Sequence, residues 1–298
     1  MKKGLTSLII LSISLLFLGT VHAQDDLLNL LEEETAKDAA PSLTYATFKG
    51  TRIINGQSVE NTAGGNLNFV IQHRFGKIND GWREFFGLDH STIRFGLEYG
   101  ICDRLTVGVG RSSYLKTYDG YLKLKVLRQS SGAKNMPLTM SIFSNTAIST
   151  VKWSEPERKN YFTSRMTFAT SLLLARKFSN AFSLQLTPSY IHRNLVETAD
   201  DQNDVFAVGI GGRIKISNRV SINGEYFYQL PGTNADKTYN SVSLGVDIET
   251  GGHVFQIMAT NSQGMIEQYF IANTTGDITK GDIYFGFNIS RIFTLKKK

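Results

Sequence analysis

The stretch STIRFGLEYGICDRLTVGVGR, residues 91–111, decides the fold. Ile93, Phe95, Leu97 and Tyr99 alternate with Arg94, Gly96 and Glu98, the period of two that sends successive side chains to opposite faces of a strand. After a tight turn at Cys102-Asp103-Arg104, Leu105, Val107 and Val109 alternate with Thr106, Gly108 and Gly110, which completes a hairpin with the same division of faces. The pattern recurs about six times down the chain, with Arg, Lys and Glu at strand centres. Charges there need water, while the apolar face needs oil. A closed antiparallel barrel with a wet lumen and a hydrocarbon surround satisfies both.

Working outward from that hairpin, strands are predicted at about 66–75, 91–100, 104–111, 119–129, 138–148 and 163–178. A second set follows at about 181–193, 204–216, 219–229, 239–249, 253–260 and 281–293. The expected fold is therefore all-β, a transmembrane antiparallel up-and-down β-barrel of about twelve strands. Short turns (CD, SN, SN, TGG) alternate with long connections at 76–90, 149–162, 194–203, 231–238 and 261–280, as periplasmic turns alternate with external loops. Both termini are then expected in the periplasm. The lipid face is read as Leu67, Phe69 and Ile71; Leu122, Leu124 and Val126; Phe168, Leu172 and Leu174; Val242, Leu244 and Val246; and Ile283, Phe285, Phe287 and Ile289. Aromatic residues near strand ends, among them Phe75, Tyr99, Tyr190, Tyr228 and Phe293, suit interfacial girdles.

Composition narrows the class further. The 298 residues carry 27 Gly, 19 Phe and 12 Tyr against 5 Pro, which fits a sheet better than a helical bundle. The formal charge of +6 is misleading, because Lys2 and Lys3 belong to a leader and Lys296–Lys298 to a tail. Without a basic patch interleaved with aromatics, no nucleic-acid partner is expected. The single Cys102 excludes an internal disulfide and any CxxC motif. No Cys follows the leader, so an acyl anchor is disfavoured.

Residues 1–23 read as a secretory signal peptide: Lys2 and Lys3, an apolar run from Leu8 to Leu18, then Val21-His22-Ala23. The apolar run is too short to span as a helix, which needs about 20 residues. Residues 24–62 are read as a periplasmic N-terminal segment, with a short amphipathic helix at 25–37 and an extended stretch at 43–60 that turns at Asn55-Gly56. Residues 63–298 form the outer-membrane barrel. Lys49 and Arg52 make the extended stretch a candidate plug able to pair with Glu98 or Asp247; a strand laid against the rim is the alternative.

On the polar face, Arg74, Arg94, Lys123, Lys125, Arg165, Arg213 and Lys215 stand against Glu98, Glu225 and Asp247. Such an excess of cations in an open lumen would favour anionic solutes. The same residues would equally form an internal salt-bridge network that fills a small barrel. The stretch ETADDQND offers Asp200, Asp201, Asn203 and Asp204 as hard oxygen ligands, but it lacks the glycine and distal glutamate of a calcium loop, so no metal is expected. His73, His90, His192 and His253 are scattered and no GxSxG occurs; His90 beside Ser91 is the best placed for a rim-active lipid or peptide hydrolase. Loops 76–90 and 261–280, with Trp82, Phe85 and Phe86 as anchors, define a third reading, a surface-loop binding module.

FKGTRIINGQSVE at residues 48–60, FGLDHSTIRFGLEYGICDRLTVGVGRSSYLKTYDGYLK at residues 86–123 and the final strand GDIYFGFNISRIF together resemble the Bacteroidetes outer-membrane barrel family known as domain of unknown function 5777. The resemblance implies a barrel and an envelope location. It implies no activity and no catalytic or ligand residues. The final strand is also similar to the aromatic-ended strand by which the barrel assembly machinery recognises its clients, although TLKKK follows it here. The expectation is thus an outer-membrane barrel in contact with lipid, a narrow channel or structural envelope protein without a cofactor.

Overall fold

Twelve strands pair in chain order and the last closes on the first, so that no strand edge is left open. The computed structural model describes residues 41–196, 198, 201–232 and 238–296. The leader at 1–23, the helix expected at 25–37 and Asp200 lie outside the described residues. The strands are β1 Asn66–Lys77, β2 Ser91–Cys102, β3 Leu105–Ser112, β4 Thr117–Leu127, β5 Thr139–Ser149 and β6 Met166–Lys177. They continue as β7 Phe182–Arg193, β8 Asp204–Lys215, β9 Val220–Gln229, β10 Ser241–Thr250, β11 His253–Thr260 and β12 Tyr284–Thr294. Every neighbouring pair is antiparallel, and closure is made by Phe287 opposite His73, Ile289 opposite Ile71 and Phe293 opposite Leu67.

The founding hairpin keeps the register its pattern demands: Phe95 faces Arg111, Leu97 faces Val109 and Glu98 faces Gly108. A one-residue slip would turn every apolar side chain of the strand inward, so the two faces themselves pin the pairing. A bulge between Gly100 and Cys102 leads into the turn, where Cys102 is a free, exposed thiol. Separately, Ser42–Leu43 and Ser130–Ser131 make a two-stranded ladder, with Ser42 opposite Ser131.

The two faces differ in kind. Outward, Leu122 remains 55% exposed and Leu244 62%, and Phe95, Leu97, Ile142, Phe206, Ile257 and Phe285 are exposed with them. An apolar belt of this extent is far beyond what a water-soluble surface tolerates, and its proper solvent is hydrocarbon. Inward, Arg74, Arg94, Glu98, Thr106, Lys123 and Gln185 are buried almost completely. Burial on that side requires something inside the barrel to cover them.

The outward assignment predicts a strong asymmetry. Leu122→Arg, near the middle of β4, is expected to lower stability in lipid vesicles by about 2–4 kcal/mol, read from the urea midpoint of folding. Thr146→Gln on β5, which exchanges one polar side chain for another, is expected to shift it far less.

Candidate functional site: the filled lumen

Residues 44–64 run into the barrel and back as a hairpin. Arg52 bridges Gln57, the Ile53 N–H bonds the Gly56 carbonyl and the Ser58 N–H bonds the Thr51 carbonyl, so the tip is Ile53-Ile54-Asn55-Gly56. Its base lies at the short-turn end, where Arg213 donates to the carbonyls of Ala46 and Thr47, each at 3.1 Å. Close packing selects the glycine: a Cβ on Gly56 would come within 2.9 Å of the Phe227 ring.

At the tip the inner wall addresses the main chain. The Glu225 carboxylate accepts from the N–H groups of Ile54 at 3.2 Å, Asn55 at 2.7 Å and Gly56 at 3.1 Å. Gln256 donates to the Ile53 carbonyl at 2.5 Å and Asn288 to the Ile54 carbonyl at 3.0 Å. Asn55 is held on its side chain as well, accepting from Arg74 at 2.7 Å and donating to Ser243 at 3.0 Å. Farther along, Gln185 grips two residues at once: its Oε1 accepts from the Val59 N–H at 2.9 Å while its Nε2 donates to the Gln57 carbonyl at 2.7 Å. Buried polar groups of this kind are costly unless partnered, and Glu225, Gln256, Asn288 and Gln185 find partners on the hairpin.

The charges are neutralised locally. Arg94 meets Asp119 through two bonds, Nε at 2.8 Å and Nη2 at 2.6 Å, and reaches Gln72 at 2.9 Å. Lys123 donates to the Thr51 carbonyl, Gln57 Oε1 and the Ser58 carbonyl at 3.1, 3.0 and 3.2 Å. Glu98 accepts from Thr51 at 2.7 Å and Asn68 at 2.8 Å. Asp247 accepts from Gln256 at 2.6 Å, and Lys125 lies 3.6 Å from Glu60. Lys215 sits half-buried at the end of β8.

Several expectations need correcting. Lys49 pairs with Glu249 rather than with Glu98 or Asp247, because it sits at the hairpin's base while those two carboxylates are already taken at other levels. Arg52 likewise turns away from them, donating to the Asn55 carbonyl at 2.6 Å and lying 3.7 Å from Glu267. Arg165 does not line the lumen: β6 begins at Met166, so Arg165 falls in the helical turn Phe162–Arg165 and stacks over the Trp153 ring at 4.0 Å. The connection at 261–280 is not an external gripping loop. Ser262, Met265, Ile266, Tyr269, Phe270, Ile271 and Ala272 are buried, and the segment carries the short helix Glu267–Phe270.

That second insert enters from the end opposite the hairpin. Tyr269 bonds Thr117 at 2.7 Å and Gln268 donates to Asn145 Oδ1 at 2.8 Å. Phe270, Ile271 and Ala272 pack with Ala169, Ile191, Val205, Ala207 and Phe227 of the wall, as Phe48, Ile53, Ile54 and Val59 of the hairpin pack with Tyr121, Phe143, Leu173 and Met258. These apolar residues at inward positions break the oil-out, water-in alternation, and they are the sequence signal that something fills the barrel. Asp119, the partner of Arg94, was also missed; its inward parity with Tyr121 and Lys123 on β4 is the signal that marks it.

Between hairpin and wall a cavity of about 30 Å³ remains, lined by Thr51, Arg52, Asp247, Gln256, Asn288 and Ser290 among others, enough for one water. At the rim, Trp82, Phe85 and Phe86 are exposed and His90 meets Glu84 at 2.9 Å, while His192 and Tyr190 both bond Asp204 at 2.6 Å on the outer side. Among the described residues no group of three acidic, His or Cys side chains could hold a metal ion.

A membrane-spanning β-barrel occupied by two of its own segments is the class of protein these features define. The chain belongs to the family described as a membrane bound beta barrel domain, whose pattern it matches over residues 48–293, from within the hairpin to within the final strand. No curated protein matches it. Among solved structures it is similar to an outer membrane channel from Pseudomonas putida F1, at 12% identity and TM-score 0.48, covering 79% of this chain and 98% of that one. It is also similar to the NanC porin, at 7% identity and TM-score 0.47, covering 76% and 98%. The KdgM porin in complex with disordered oligogalacturonate matches at 6% identity and TM-score 0.47, covering 76% and 99%.

Two predictions test this interior. Arg94→Ala leaves Asp119 buried without its counter-ion and is expected to cost about 3–5 kcal/mol of unfolding free energy, measured by denaturant titration in vesicles. At the rim of the second insert, hydrogen bonds from Lys77 and Asn79 hold the Asp282 carboxyl down at about 2. A carboxylate depressed in the folded state stabilises at pH above its unfolded value of about 4, and that contribution fades as the pH falls from there toward 2. Protection factors around residues 277–283, taken against the intrinsic exchange rate at each pH, should therefore fall over that window in the native chain, and Asp282→Asn should make that fall smaller.

Proposed function

We propose that the protein is an outer-membrane channel whose resting state is closed by the hairpin at 44–64, which fills the lumen beside the insert at 261–283. One observation carries this reading: the twelve strands form their complete ladder without the hairpin, whose main-chain pairing with the wall is confined to its two ends, Thr44 to the Gln129 carbonyl and Gly64 opposite Gly100, the stretch between being held by side-chain hydrogen bonds and apolar packing. Withdrawing that stretch breaks no strand pairing of the barrel and returns polar wall groups to water, the solvent they suit. A segment built as permanent core would share strand pairing or bury mainly oil.

With the hairpin withdrawn, the wall presents Arg74, Arg94, Lys123, Lys125, Arg213 and Lys215 against Glu98, Asp119, Glu225 and Asp247. The surplus of cations supports a preference for anionic solutes in the open state.

Planar-bilayer recording tests the reading. The full chain is expected to be almost silent, and a variant lacking residues 24–62 to conduct with an anion-biased reversal potential in a salt gradient. The paired substitutions Asn55→Ala and Glu225→Gln, which keep the full chain length, are expected to raise open probability in the same direction. Steady conductance of the native chain, or silence of both variants, would overturn the closed-channel reading.

A further inference from the structure

The inner wall spends its hydrogen bonds in an unusual way. A lumen that handled sugars would offer side chains to hydroxyl groups, and one that handled inorganic ions would offer rings of charge. This wall instead reads peptide units. Glu225 takes three consecutive N–H groups; Gln256 and Asn288 take the two carbonyls before Asn55; Gln185 takes an N–H and a carbonyl two residues apart. Lys123 takes the carbonyls of Thr51 and Ser58, and Arg213 those of Ala46 and Thr47.

The amide of Gln185 is the most specific of these. One side chain presenting an acceptor to a main-chain N–H and a donor to a main-chain carbonyl reproduces the edge of a neighbouring strand. Between these polar groups lie apolar pockets for side chains, formed by Tyr121, Phe143, Leu173 and Met258 around Phe48, Ile53, Ile54 and Val59. Pockets for side chains together with alternating donors and acceptors for the backbone are what an extended polypeptide needs, and neither a sugar nor a halide uses both.

We infer that the opened lumen takes short extended peptides, and that the hairpin at 44–64 closes it by occupying the peptide site as an internal substitute. The inference rests on the closed-channel reading and names the solute class of that channel. A solute peptide competes with the hairpin for Glu225, Gln185, Gln256 and Lys123, so each molecule that enters stabilises the withdrawn state.

The test is liposome swelling with the variant lacking residues 24–62 and, in parallel, with the full-length chain carrying Asn55→Ala and Gly56→Ala, which loosen the hairpin and leave the wall groups intact. Acetyl-trialanine-amide is compared with a neutral sugar of similar mass, after salt conductance of each preparation has been recorded. The 24–62 deletion is expected to pass the peptide about tenfold faster than the sugar, the scale set by one or two net hydrogen bonds. Adding Gln185→Leu to it should pull the peptide-to-sugar ratio down several-fold. A capped synthetic peptide of residues 47–60 should also block its salt current, whereas a scrambled peptide should not. Preparations that conduct salt but pass sugar as fast as peptide, or that are blocked equally by the scrambled peptide, overturn the peptide inference and leave the channel standing. Preparations that conduct no salt overturn both.

Discussion

Charge inside a hydrocarbon-bounded cylinder has nowhere to go but the cylinder's own contents. The wall of this barrel cannot send Arg94 or Lys123 outward, because outward is lipid, so every ionised group must be solvated by water or by protein within the lumen. Here protein has replaced most of the water. The bidentate contact of Arg94 with Asp119 within the wall and the three acceptors around Lys123 are the consequence, and the latter three fix both the level and the direction of the hairpin that supplies them. Register in the sheet and register of the hairpin are one problem solved together: shifting a strand by a residue would point Lys123 into the bilayer and leave the Thr51 and Ser58 carbonyls unpaired.

The barrel was legible because its two solvents write on alternate residues. Ile93, Phe95 and Leu97 on one side and Arg94 and Glu98 on the other require no tertiary knowledge to interpret, and closure follows from the need to satisfy every edge. The interior was far less legible. Arg94 reads as a lumen residue from its parity, but its partner Asp119 lies two strands away, and no local pattern states that distance. Arg165 went astray because a strand start moved by three residues, enough to carry it from the lumen to a loop. Met265, Ile266, Tyr269 and Phe270 have the i, i+1, i+4, i+5 spacing of a helical stripe, yet between strands they look like any long loop until the inward-facing Ile191, Val205 and Phe227 reveal a complementary surface.

The two inserts are unlike each other in chemistry. The hairpin is held through its backbone by charged and amide side chains, with Asn55 as its most heavily engaged residue. The insert at 261–283 is held chiefly by oil, its Phe270 edge-on to Phe227 at 5.0 Å and its Tyr269 against Tyr114 at 5.3 Å. Polar attachment is directional and is lost when water competes; apolar attachment tolerates sliding and rotation. Two inserts of different character therefore meet inside one barrel, one held by directional bonds and the other by apolar packing.

Arg52 of the hairpin and Glu267 of the opposite insert meet with their side chains almost fully shielded. Each is the other's counter-ion, so pulling either segment out strands a bare charge in the remaining one. Loss of Glu267 from that contact weakens the hold on Arg52, and by reciprocity loss of Arg52 weakens the hold on Glu267 by the same coupling free energy. The hairpin and the insert are thereby tied to each other as well as to the wall.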